Sequence, residues 1–154
     1  MSLEKNAMSC FEKIGVVGAG MMGSEIALVF ALAGHPTILS DRQREFADRA
    51  LDRLDGVPDR GVGRKCWSAE AAADARRNLS VVDGLDDYAD RDLVIEAVFE
   101  DANLKCDVFK RLDAILDASA GLASNMSSIS IAAGYDGRKA GRGWRRYDKD
   151  GKRL

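Results

Sequence analysis

An α/β fold built on a doubly wound parallel sheet is what this 154-residue sequence predicts, and three observations predict it. Short apolar runs alternate with longer stretches whose apolar residues recur at helical spacing. The first apolar run leads straight into three spaced glycines, Gly18, Gly20 and Gly23. The second apolar run delivers one acid, Asp41.

The elements follow in order. A strand is expected at residues 13–17 (KIGVV), and a helix at about 21–33 with Gly34 as its C-cap. Between them lies Gly18-x-Gly20-x-x-Gly23: the first glycine permits a tight turn, the second lets backbone approach a pyrophosphate, and the third lets the helix pack closely. A second strand at 37–40 ends at Asp41, where a carboxylate can accept both adenosine ribose hydroxyls. The order strand, glycine turn, helix, strand, acid implies a held dinucleotide, with phosphates at the helix N-terminus. Asp41 would repel a ribose 2′-phosphate, so NAD is expected rather than NADP; Arg42 is the neighbouring cation that qualifies this.

Residues 44–54 place Phe46, Ala47, Ala50, Leu51 and Leu54 on one helical face. Gly56, Pro58, Gly61 and Gly63 mark 55–65 as a loop. Ser68 caps a helix at 69–77 that is rich in alanine. A short strand at 79–82 runs into an Asp83-Gly84 turn. Residues 93–98 (LVIEAV) read as a buried strand and 103–116 as an amphipathic helix through Leu104, Val108, Phe109, Leu112, Ile115 and Leu116. A last strand at 121–125 (GLASN) ends in a polar turn. Strands alternating with helices in this way give a Rossmann-type sheet.

The chain is expected to divide near 132. Residues 1–132 form the nucleotide-binding domain, with a helical insertion at about 44–78, and 133–154 form a short irregular basic tail without periodicity. The net charge of −2 conceals this division, since the stretch from Gly137 onward carries +6 and the body −8. An acidic body argues against nucleic acid as its partner. No apolar stretch approaches a membrane span, and no secretory leader is expected from MSLEKNAMSC. Cys10, Cys66 and Cys106 form neither a metal motif nor a disulfide framework, which points to a cytoplasmic protein with small buried thiols and no bound metal.

With the glycine motif, Asp41, Glu96–Glu100 (EAVFE) and 124–131 (SNMSSISI) in hand, the chain resembles the NAD-dependent 3-hydroxyacyl-CoA dehydrogenases of β-oxidation, 3-hydroxybutyryl-CoA dehydrogenases included. The likeness runs from about Lys13 to Ile131, and GRKAGRGWRRYD in the tail is similar to a segment closing part of the family's helical C-terminal domain. It implies that Gly18, Gly20 and Gly23, with Met22 beside them, hold the pyrophosphate and that Asp41 holds the ribose. Ala97 and Val98 would line the cofactor groove, while Glu100 and Lys105 would contact its nicotinamide half. The alternative for Lys105 is a solvated helix charge. Ser127 falls on the serine that hydrogen-bonds the substrate hydroxyl, and Asn125 on the turn that positions it at the cofactor. Met126 departs from the small polar residue usual there.

The family's catalytic histidine, paired with a glutamate, has no counterpart on the matching segment. The one histidine, His35, follows the first helix and reads as an exposed loop residue. The chain is therefore expected to be a shortened member: an NAD-binding half, with acyl-CoA bound only with a partner domain and little turnover alone. Two other classes remain open at this point. One is a non-catalytic NAD-binding or interaction module; the other is a nucleic-acid arm made of the basic tail with Trp144 and Tyr147.

Overall fold

The computed structural model describes residues 11–126. Within them five strands, β1 (Ile14–Val17), β2 (Thr37–Ser40), β3 (Leu79–Val81), β4 (Leu93–Glu96) and β5 (Gly121–Ser124), form one parallel sheet in the order β3-β2-β1-β4-β5. Helices α1 (Met21–Leu32), α2 (Arg44–Leu54), α3 (Val57–Gly63), α4 (Ala69–Asn78) and α5 (Ala102–Ile115) make the connections, with a 3-10 turn at Leu85–Tyr88 before β4. The chain winds outward from β1 to one side and then, from β4, to the other. This is the doubly wound, Rossmann-type order, and its switch point lies between β1 and β4.

Alternation along four-residue strands feeds two apolar layers. Ile14, Val16, Leu39 and Ile95 pack with Ala27 of α1 and with Ala47 and Ala50 of α2, whose small side chains let the helices come close. Val17, Ile38 and Val94 pack on the opposite face with Val108 and Leu112 of α5, Leu116 and Tyr88. Both faces are thus covered, so these strands read as unbroken apolar runs. Each buried Val, Leu or Ile contributes about 1.5–3 kcal/mol. Leu28 and Ala31 of α1 meet Leu54 and Ala75 in a third, helical layer.

Several local expectations change. The stretch read as a loop at 55–65 contains α3. Pro58 sits in its first turn, where a missing N–H costs nothing, so the residue taken as a breaker starts the helix instead. Gly61 is there for space: a Cβ would stand 1.9 Å from the Trp67 ring. Trp67 closes over it and donates from Nε1 to the Pro58 carbonyl at 2.8 Å. Hence 44–78 holds three helices. Strand β4 ends at Glu96, two residues before expected: the Ala97 N–H still donates to the Val17 carbonyl at 2.8 Å, but the Val98 N–H donates instead to the Glu96 side chain at 2.7 Å. Asp101 caps α5 by accepting from the Leu104 N–H at 2.8 Å, which starts that helix one residue early. Ser68 caps α4, accepting from the Ala71 N–H at 3.1 Å. Gly34 takes the left-handed conformation, φ +93°, just beyond α1.

Register decides what reaches the site. Val17 lies opposite Ser40 on one side and Glu96 on the other, and Glu96 lies opposite Ser124. The carboxyl ends of four strands therefore stand in one row. The next residues, Gly18, Asp41, Ala97 and Asn125, leave the sheet together.

Candidate functional site

These strand ends open into a cavity of about 870 Å³. Gly18, Gly20, Met22 and Asp41 line one side, and Ala97, Val98, Glu100 and Asn125 the other. Gly23 and Lys105 stand behind its walls. Ser127, Cys10 and the tail with its boundary at 132 lie outside the described residues.

The glycine corner is tightly determined. Gly18 adopts φ +105°, and a Cβ there would lie 2.5 Å from the Ala97 carbonyl oxygen. A Cβ on Gly23 would lie 1.9 Å from the Gly18 carbonyl oxygen, so its closest neighbour is the turn rather than the strand. A Cβ on Gly20 meets nothing within 4 Å, because it faces the cavity. Gly20 is also the N-cap of α1, whose first turn carries no acid. That leaves donors and a partial positive charge directed at the opening, with room for a phosphate to approach.

Asp41 is held rather than loose. Its Oδ2 accepts from the Ala19 N–H at 2.7 Å, inside the glycine turn, and its Oδ1 accepts from the Arg42 N–H at 2.7 Å. The carboxylate is thereby fixed to the turn it would serve. Arg42, also on the cavity, rests its guanidinium 5.2 Å from the centre of the Phe46 ring, with Arg49 on the same ring at 5.1 Å. Beneath this side, the Gly18 N–H donates to the Ser40 carbonyl at 2.8 Å. The Tyr88 hydroxyl donates to the Val16 carbonyl at 2.6 Å and accepts from Ser40 Oγ at 2.8 Å. Burial pushes the Tyr88 phenol well above its ordinary pKa.

Lys105 is no solvated charge: it is 1% exposed, and its Nζ donates to Glu96 Oε1 at 2.8 Å, to Glu96 Oε2 at 3.1 Å and to the Val98 carbonyl at 3.2 Å. Glu100 Oε2 is 3.6 Å from the same nitrogen. Glu96 entered the sequence reading only as the first residue of EAVFE, with no role of its own. A charge inside the apolar run LVIEAV was the available signal, and its meaning depended on a partner from another element. Phe99 and Arg111 also line the cavity without having been given a role, and Leu104, expected on the apolar face of its helix, is exposed on the cavity instead. His35 lies far from this chemistry, before β2, where its Nδ1 is 3.3 Å from the Glu12 carbonyl oxygen. Among the described residues no cluster suits a metal ion, and no helix is long and apolar enough to cross a membrane.

The open approach at Gly20, the donor-rich turn and the anchored carboxylate fit the phosphates and ribose of an adenine dinucleotide. Comparison with known proteins agrees. Residues 13–137 match the family described as "3-hydroxyacyl-CoA dehydrogenase, NAD binding domain". The chain is 39% identical over 119 residues to a 3-hydroxybutyryl-CoA dehydrogenase of Clostridioides difficile, covering 77% of this chain and 42% of that one. Among solved structures, Mycobacterium tuberculosis FadB2 superposes with a TM-score of 0.74 at 37% identity, over 79% of this chain and 43% of that one. The 3-hydroxybutyryl-CoA dehydrogenase of Escherichia coli K12 superposes with a TM-score of 0.75 at 34% identity, over 80% and 26%. The chain spans about two-fifths of the length of the curated relatives it matches. It belongs to the 3-hydroxyacyl-CoA dehydrogenase family, as that family's NAD-binding domain, and its cofactor is NAD.

Proposed function

We propose that this chain is the NAD(H)-holding half of a dehydrogenase that oxidises (S)-3-hydroxyacyl-CoA to 3-ketoacyl-CoA in fatty acid metabolism, and that it is cytoplasmic. One observation carries the reading: the carboxylate of Asp41 is fastened to the glycine turn at the edge of a cavity of suitable size. In use, Gly18 makes the turn, Gly20 at the start of α1 leaves the approach to the helix N-terminus open for the pyrophosphate, and Asp41 accepts the ribose hydroxyls. Because Asp41 is an anion at that position, NAD is favoured over NADP. When bound, the cofactor supplies a hydride acceptor. Ala97, Val98, Glu100 and Asn125 form the wall for its nicotinamide half, and Ser127 is assigned to the substrate hydroxyl. Acyl-CoA itself is assigned to a partner domain.

Calorimetry of the 154-residue chain with NADH tests this. Binding is expected, and Asp41→Ala should weaken it at least about tenfold through loss of hydrogen bonds to a charged group. No heat with the folded chain, or no change in Asp41→Ala, overturns the reading.

A further inference from the structure

We propose that Glu96 is a positioning residue: its buried carboxylate sets the wall for the nicotinamide half of the cofactor, and Lys105 acts through it. The inference rests on the dinucleotide reading above. Glu96 is 0% exposed and occupies the last ladder position of β4, after three apolar residues. Four groups converge on it. Oε1 accepts from the Val98 N–H at 2.7 Å and from Lys105 Nζ at 2.8 Å. Oε2 accepts from Ser124 Oγ at 2.6 Å, and the backbone carbonyl accepts from the Asn125 N–H at 2.7 Å. The carboxylate therefore fastens one cavity-lining position, Val98 after β4, directly, holds Ser124 beside a second, Asn125 after β5, and connects through Lys105 to a third, Glu100.

Location assigns the half of the cofactor concerned. Asp41 and the glycine turn follow β2 and β1, whereas Val98 and Asn125 follow β4 and β5, across the switch point. A dinucleotide laid across that point puts its adenosine half over the former and its second half over the latter. Energetics point the same way. A buried carboxylate–ammonium pair returns little net stability compared with apolar residues of similar volume. What this pair supplies that an apolar one would not is directional hold on Val98 and Ser124.

The test compares NADH with ADP-ribose, which lacks the nicotinamide, on the whole chain and on Glu96→Gln, with thermal midpoints recorded alongside. Glu96→Gln should weaken NADH about tenfold, the equivalent of one hydrogen bond to a charged group, and change ADP-ribose by less than about twofold. The emission of bound NADH should shift as its ring loses the wall. Should Glu96→Gln fail to fold, Ser124→Ala removes one of the four contacts and should give the same selective loss on a smaller scale. Equal weakening of both ligands, or no weakening of NADH in either variant, overturns the inference and leaves the dinucleotide reading intact. If the unaltered chain binds neither ligand, the dinucleotide reading fails, and the positioning role with it.

Discussion

The three glycines of the corner answer to different constraints, and alanine substitutions separate them. Gly23→Ala forces a methyl to 1.9 Å from the Gly18 carbonyl, so stability should fall by about 2–4 kcal/mol, read by urea denaturation. Gly20→Ala meets open space, so stability should change by no more than about 1 kcal/mol. Its NADH affinity should nevertheless drop, because the methyl occupies the approach needed by the pyrophosphate. Tyr88 adds a pH dependence. Removing its hydroxyl in Tyr88→Phe strips partners from the Val16 carbonyl and Ser40 Oγ and should cost about 1–3 kcal/mol at neutral pH. Burial raises the folded pKa of the phenol above its unfolded value, so its contribution is whole below about pH 10 and is lost as pH climbs toward the folded pKa. The unaltered chain should therefore lose stability above that pH more steeply than Tyr88→Phe, measured as urea midpoints across an alkaline series. Glycine spacing and Asp41 were legible in sequence because their signal is local. The Glu96–Lys105 pair and the Tyr88–Ser40 bond were not, since each joins residues that only the folded sheet and its flanking elements bring together.

Strands and long helices were legible at the scale of elements because apolar periodicity reports burial directly. The exception at α3 is instructive. Gly56, Pro58, Gly61 and Gly63 carry the composition of a loop, yet they form a helix over which Trp67 closes, against Gly61 and onto the Pro58 carbonyl, a contact no local pattern encodes. Gly61→Ala should push the indole aside and destabilise the α3–α4 pair by about 1–3 kcal/mol. Tryptophan emission should shift to the red on that substitution. NADH affinity should stay as it was, because α3 contributes nothing to the cavity wall. Loss of NADH binding in Gly61→Ala would show that the helical insertion supports the site after all.

At the scale of the whole molecule, NAD binding and turnover by this chain are separate expectations. General-base assistance typically contributes about 10²–10⁴-fold, and the one histidine, His35, belongs to the amino ends of the strands while the cavity opens at their carboxyl ends. The purified chain should accordingly yield no steady NADH formation from (S)-3-hydroxybutyryl-CoA and NAD, followed by the absorbance of the reduced cofactor. Sustained turnover would mean that a proton acceptor other than histidine operates. The row formed by Val17, Ser40, Glu96 and Ser124 also has a consequence for synthesis on the ribosome. The glycine turn is translated early, yet its far wall arrives with strands made much later, so a nascent chain can have its phosphate donors long before it has a cleft. Cofactor capture is thereby postponed until β4 and β5 have left the exit tunnel, and the central strand must wait with one flank unpaired until they do.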